Sequence, residues 1–340
     1  LGVDVFLIIS GTIVAKLVVE KKPSAIEFLK RRISRLLGAA LLVVVPFGMF
    51  IFLVLSGDEL KNFIQSTIAF FLGISNILFQ IESNYFTDFA IRKPLLHTWS
   101  LSLEVQFYCF IGLMILLSRQ HLVRLVLGAS IASFILYLYF QFADPDFVIP
   151  YSSGNSSAVF FNPVFRFWQF GLGFGIWFLF TRTNPLNAII VNTTAAVTIV
   201  ISVLCFFLIK TESAQYGSLA IFVSFGTAWL LISGRHLIPT SDILTRLGNS
   251  SYILYLIHFP MLFILEWYDL ITPFLLWMGI LFCLILADFL TRSVEPKLIS
   301  FFRKNSRALI LAPIIVTALL PVYAITDFSK YEYSKFIEKE

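Results

Sequence analysis

The chain has 340 residues, 58% of them hydrophobic and only 13% charged, with 38 phenylalanines. A soluble domain carries about 25% charged residues, so this composition excludes an ordinary globular enzyme and marks a polytopic membrane protein. The net charge of +5 is no nucleic-acid signature, because the basic residues gather in short loops between apolar runs, as the positive-inside rule requires.

A bilayer core about 30 Å thick takes roughly 20 apolar residues per helix. In chain order this predicts spans at 1–19, 36–55, 98–117, 123–141, 162–180, 188–209, 217–233, 249–266, 270–290 and 308–325. A further apolar stretch at 63–80 is read as re-entrant or packed on the outer face, because counting it as a crossing reverses the charge placement of the loops that follow. The segment from Lys21 to Arg35 is the most basic and is placed in the cytoplasm. Arg119, Arg124, Arg182, Arg235, Arg246, Arg292, Lys297, Arg303, Lys304 and Arg307 then share that side. Asp144, Asp146, Glu212, Glu266, Asp269 and the C-terminal tail fall outside, with Arg92 and Lys93 as basic exceptions. The expected fold is all-α, a polytopic transmembrane helix bundle of about ten spans. Residues 1–326 form one membrane domain, and 327–340 form an extracytoplasmic tail that would link to a further domain. Ten crossings place residue 1 outside, so a chain that starts in the cytoplasm is expected to have one more transmembrane helix upstream, in keeping with an apolar opening that lacks a methionine.

Four constellations carry possible chemistry. Arg31, Arg32 and Arg35 sit at the start of the second apolar run. They read either as charges that set topology by snorkelling to headgroups or as an anion site. Arg32 and Arg35, three residues apart, share a helical face and present two guanidiniums for phosphate. The run Pro94-LLHTWSLSLEVQFYCFIGLMILL-Ser118 holds His97 and Glu104. A carboxylate at membrane depth costs about 2.5–3.5 kcal/mol on insertion scales, so it needs a partner or a task. On a helix His97, Ser100 and Glu104 share a face, which suits general acid–base work on a hydroxyl or, alternatively, helix packing.

In Gly248-NSSYILYLIHF-Pro260, Ser251, Tyr255 and His258 share another face. A lone histidine on such a face reads first as a satisfied packing residue and only second as a ligand, so His258 is placed as a cavity-bracing side chain. Asp288 and Arg292 stand at i,i+4 spacing, which would let them pair in a structural role. Asp4 is a further carboxylate near the outer end of the first span. Cys109, Cys205 and Cys283 lie inside apolar runs and read as packing residues, with no metal or disulfide expected. No P-loop, HExxH, CxxC or Gly-x-Ser-x-Gly pattern occurs.

Taken in order, GVDVFLIISG from Gly2, FLKRRISRLL from Phe28, PLLHTWSLSLEVQFY from Pro94, FNPVFRFW from Phe161, GNSSYILYLIHFP from Gly248 and VEP from Val294 resemble the membrane acyltransferase-3 family. That family O-acylates extracytoplasmic carbohydrates. Two positions depart from its pattern: Val105 follows Glu104, and Gln169 follows Trp168, where a glutamate is usual. The resemblance implies an enzyme of the bacterial inner (plasma) membrane that modifies cell-envelope polysaccharide. It further implies acyl-CoA, specifically acetyl-CoA, as donor on Arg32 and Arg35, and a catalytic histidine upstream of residue 1.

Glu104 and His97 would then act on the acceptor hydroxyl. Asp4, Trp99, Ser102, Arg166, Tyr252, His258 and Glu295 would line or support the cavity, among membrane lipid and with no nucleic acid involved. The competing readings are a transporter or flippase for a lipid-linked sugar, using the same His and Glu as a proton relay, and a non-catalytic sensor or scaffold.

Overall fold

The structure is a computed structural model and describes residues 2–82, 93–143, 149, 155–180, 213–233 and 241–318. Among these residues every regular element is helical. In chain order they are α1 (Gly2–Lys21), α2 (Ala25–Val54), α3 (Gly57–Phe71) and α4 (Ser75–Glu82). A 3₁₀ turn, Leu96–Thr98, leads into α5 (Trp99–Ser118), followed by α6 (Leu122–Phe142), α7 (Asn155–Phe161) and α8 (Pro163–Phe180). The last are α9 (Ser213–Ser233), α10 (Asp242–Trp267), α11 (Pro273–Ser293), α12 (Glu295–Lys304) and α13 (Ser306–Ala318).

Five helical stretches among the described residues are long and apolar enough to cross a membrane: Gly2–Lys21, Ala25–Val54, Leu96–Phe142, Asp242–Trp267 and Pro273–Ser293. The third of these contains both α5 and α6. The protein is therefore an integral membrane protein built of helices. Lipid contact also explains α11, where only Cys283 and Ala287 are buried while Phe274 and Trp277 are 72% and 71% exposed. The expected span at 188–209 and the tail 327–340 lie outside the described residues, as do Asp144, Asp146, Glu212, Arg92, Arg182 and Arg235.

The apolar stretch at 63–80 is broken. A turn at Leu72–Ile74, with Gly73 at φ +71°, separates α3 of 15 residues from α4 of 8 residues. Neither piece reaches membrane-crossing length. At the second span the helix is longer than the apolar run, because α2 begins at Ala25 and carries the Arg31–Arg35 cluster on its first turns. Pro46 in α2 and Pro260 in α10 lie inside helices, a tolerance common in membrane helices. Side chains cap the later helices. The Leu244 amide donates to Ser241 Oγ at the start of α10, and the Leu275 amide to Thr272 Oγ1 before Pro273 at the start of α11.

The chain divides into two compact units. The first comprises Leu1–Phe28, Gln80–Phe86 and Leu103–Thr240; the second comprises Leu29–Phe79, Thr87–Ser102 and Ser241–Glu340.

In the first unit α1 lies along α8, and α8 also packs on α6. The α1–α8 approach depends on two glycines. A Cβ at Gly11 would stand 2.0 Å from the Phe170 carbonyl oxygen, and one at Gly173 2.0 Å from that of Ile8. Small residues let membrane helices come this close, and Thr12 Oγ1 then donates to the Gly173 carbonyl at 3.0 Å.

In the second unit α2, α3 and α10 enclose an apolar core in which Phe47 meets Phe63 and Phe263 edge to face, at 6.0 and 6.1 Å.

Candidate functional site

The first unit buries two polar clusters. Asp4, on the first turn of α1, is fully buried and accepts Arg166 Nη1 of α8 at 2.8 Å and Gln169 Nε2 at 2.6 Å. Gln169 Nε2 also donates to Ser224 Oγ of α9 at 3.1 Å, and Arg166 Nε donates to the Phe160 carbonyl at 2.9 Å. The Arg166 guanidinium faces the Asp4 carboxylate here, and Gln169 supplies donors that a carboxylate lacks. That is a physical reason for glutamine at this position: a glutamate would set a second negative charge against Asp4. Neither Gln169 nor Ser224 was singled out as a site residue from spacing, because only packing brings α1, α8 and α9 together.

Glu104 is buried on α5, and its Oε1 accepts from Ser10 Oγ of α1 at 2.6 Å and from the Tyr108 hydroxyl one turn along its own helix. The two hydroxyls are themselves 3.2 Å apart. The intramembrane carboxylate thus has partners as well as a position. Tyr108 was accessible to sequence reasoning as the i+4 neighbour of Glu104. Ser10 was not, since nothing in its local sequence points at α5.

The second unit holds a histidine-rich cluster. His97 belongs to the 3₁₀ turn Leu96–Thr98, which runs directly into α5 at Trp99. His97 is 3% exposed and stacks on Phe259 at 5.0 Å, with Tyr255 and His258 each at 5.6 Å in edge contact. Among the described residues neither imidazole nitrogen has a partner at hydrogen-bond geometry, although the Leu256 backbone lies close enough to act on the ring. The Tyr255 hydroxyl donates to the His97 carbonyl at 2.7 Å and lies 2.7 Å from Ser100 Oγ.

His258 Nδ1 lies 2.6 Å from the Tyr255 carbonyl. A carbonyl only accepts, so that nitrogen carries the proton and Nε2 of the neutral ring is left as the acceptor. Ser251, Tyr255 and His258 do share a face, and together with Leu254, Met261 and Cys283 they line a cleft of about 360 Å³.

Other expected site residues have structural duties. Ser102 Oγ lies 2.7 Å from Ser75 Oγ and accepts the Ser75 amide at 3.1 Å, which ties the start of α5 to the start of α4. Tyr252 donates to the Leu36 carbonyl of α2 at 3.1 Å. Trp99 is among the largest fully buried side chains.

Arg35 lines a second cleft, at the ends of α10, α11 and α12, together with Glu295; Arg32 is not among its lining residues. Burial raises the Glu295 carboxyl above its usual range, and the Arg35 charge opposes that shift. A group whose pKa is raised on folding contributes stability below its unfolded pKa and loses it as pH rises through the folded value. Glu295→Gln is therefore expected to raise the melting temperature above that of the parent at pH 7 to 8. The advantage should vanish below about pH 4, near the ordinary carboxyl pKa. Thermal melts of the detergent-solubilised protein across this range check it, and a pH-independent difference would refute it. Arg246, Asp288, Arg292, Arg303 and Lys304 line the same cleft and belong in any fit of that profile.

Apolar helices of membrane length with buried carboxylates, hydroxyls and imidazoles define an integral membrane protein equipped for interior polar chemistry. The model of an acyltransferase domain, that of the acyltransferase-3 family, matches residues 1–292, and the chain belongs to this family. BcsY of Komagataeibacter xylinus, provisionally named a membrane-bound transacylase, is 33% identical over 76% of this chain and 65% of its own length. SACOL0978 of Staphylococcus aureus strain COL, provisionally named an O-acetyltransferase, is 27% identical over 97% of this chain and 59% of its own. O-acetyltransferase OatA of Staphylococcus aureus strain MRSA252 is 26% identical over 94% of this chain and 57% of its own. The chain thus spans less than two thirds of the length of each of these relatives. No solved structure matches it.

Proposed function

We propose that the protein is a membrane O-acyltransferase that moves an acetyl group from cytoplasmic acetyl-CoA to a hydroxyl of an extracytoplasmic carbohydrate of the bacterial envelope. The observation that carries this reading is an imidazole, His258, whose tautomer is set by the Tyr255 carbonyl and which lines a cleft beside the Ser251 and Tyr255 side chains. In the transfer the acceptor oxygen attacks the thioester carbonyl, the new C–O bond forms and the C–S bond breaks. The hydroxyl proton passes to a base and then to the departing thiolate, which leaves as free CoA thiol. An imidazole with a free lone pair is suited to that proton; His258 takes it directly or braces the acceptor for the upstream histidine that the family resemblance implies. Glu104, held by Ser10 and Tyr108, contributes a fixed negative charge within the first unit. His97 is held ready in the second by Phe259 and Tyr255. Membership of the acyltransferase-3 family and the transferase names of the relatives support this reading over a transporter or flippase.

The test is transfer of labelled acetyl from acetyl-CoA, supplied on one side of proteoliposomes, to oligosaccharide on the other. His258→Ala is expected to lower the rate by about 100-fold or more, the usual contribution of a general base, with the folded yield unchanged. An unaltered rate in that variant removes His258 from the reaction. No transfer by the wild-type protein to any hydroxyl acceptor overturns the function.

A further inference from the structure

The second cleft has a volume of about 680 Å³, within the range of roughly 300–1,000 Å³ typical of ligand sites. Its lining is unusual for a membrane protein that is otherwise poor in charge. Among the described residues Arg35, Arg246, Arg292, Arg303 and Lys304 face it, against Asp288 and Glu295. Asp288 already serves two of the cations: its Oδ2 takes Arg246 Nη2 and its Oδ1 takes Arg292 Nη2, each at 3.0 Å. Arg303 and Lys304, on the last turn of α12, are exposed and have no carboxylate partner among the described residues. The pairs to Asp288 are themselves open to solvent, with side-chain exposures of 53% and 49% for the arginines and 31% for the aspartate. Such pairs are weak, so a multiply charged anion can take the guanidiniums over.

We propose that this cleft binds a phosphate-bearing group through Arg35, Arg303 and Lys304, with Asp288 as an internal counter-anion that the phosphate displaces from Arg246 and Arg292. Guanidiniums recognise phosphate oxygens by paired hydrogen bonds, and five cations converging on one concavity suit a ligand with more than one negative charge. Asp288 keeps the empty site from remaining a concentrated positive charge, and it sets a threshold that a singly charged anion meets poorly. The phosphate comes either from the nucleotide part of a thioester donor or from an anionic lipid headgroup. In the first case the assignment rests on the proposed transferase reading and moves the donor site from the Arg32–Arg35 pair to the ends of α10, α11 and α12.

The experiment uses the full-length protein in phosphatidylcholine nanodiscs, titrated with adenosine 3′,5′-bisphosphate, and in parallel nanodiscs containing phosphatidylglycerol. With a nucleotide ligand, the bisphosphate binds, binding weakens as salt rises, and Arg303→Ala with Lys304→Ala weakens it by about tenfold or more. Asp288→Asn tightens it by about threefold. With a lipid ligand, the bisphosphate does not bind, but the double variant loses the preferential retention of phosphatidylglycerol that the wild type shows. Both results support the site and identify its source of phosphate. Equal behaviour of wild type and double variant in both arms overturns it. Arg303 and Lys304 are exposed, so folding is not at issue, and a melt of each variant checks it. Acetyl transfer measured on the same samples separates the two readings: phosphate binding without any transfer sinks the enzyme assignment and leaves the cleft standing. Transfer with an unchanged KM for acetyl-CoA in the double variant, and no effect in either binding arm, does the reverse.

Discussion

Arg166→Met is expected to destabilise the protein by about 3–5 kcal/mol, the usual result of stripping one partner from a buried ion pair. Arg166 and Asp4 are 1% and 0% exposed, so losing the guanidinium takes from a water-excluded carboxylate the cation that stands 2.8 Å from it. Gln169 still donates to it, but a neutral hydrogen bond does not replace the charge. The double variant Asp4→Asn with Arg166→Met should recover most of the loss, since a neutral amide costs far less to bury than an unpaired charge. Unfolding midpoints of the four proteins in the cycle, measured in one detergent, give the coupling directly. A single variant as stable as the parent would mean that Asp4 is not held as an ion in the folded state.

The second large effect is on activity. Glu104→Gln keeps an oxygen where Ser10 and Tyr108 donate, so the fold and the hydroxyl network should survive. The negative charge goes, and acetyl transfer should fall by about 100-fold or more if that charge serves the reaction. Ser10→Ala and Tyr108→Phe each remove one donor and leave the charge. They should cost no more than about tenfold each, in line with a net hydrogen-bond value near 1 kcal/mol. Labelled-acetyl transfer with folded yields matched between variants separates the cases. If Glu104→Gln works at the parental rate, Glu104 is a packing group.

How much of this was legible in advance differs residue by residue. Two helical ranges were close to their apolar runs, while the second and the 249–266 spans began several residues earlier than hydropathy placed them. The run 123–141 became Leu122–Phe142, and 98–117 became Trp99–Ser118. The Asp288–Arg292 pair followed from i,i+4 spacing and is present at 3.0 Å. His97 was read as part of the α-helix, and the backbone over Leu96–Thr98 is a 3₁₀ turn that leads into α5. The 63–80 stretch was rightly set apart, yet its break at Gly73 came from backbone geometry that hydropathy does not register.

By itself the sequence determined what depends on local properties: membrane residence, helical content, and through its ordered motifs the family. Hydropathy and near-neighbour spacing act within a turn or two of helix, so composition and periodicity suffice to read them. Tertiary structure alone decided which polar groups meet. Asp4 finds Arg166 across 162 residues, Glu104 finds Ser10 across 94, and Arg246 finds Asp288 across 42. The buried carboxylates, Asp4 and Glu104, had to find partners on other helices because water is not there to solvate them, whereas the Arg246–Asp288 pair stands open to solvent. Which helix supplies the counterpart is set by packing, such as the Gly11 and Gly173 contacts that bring α1 against α8.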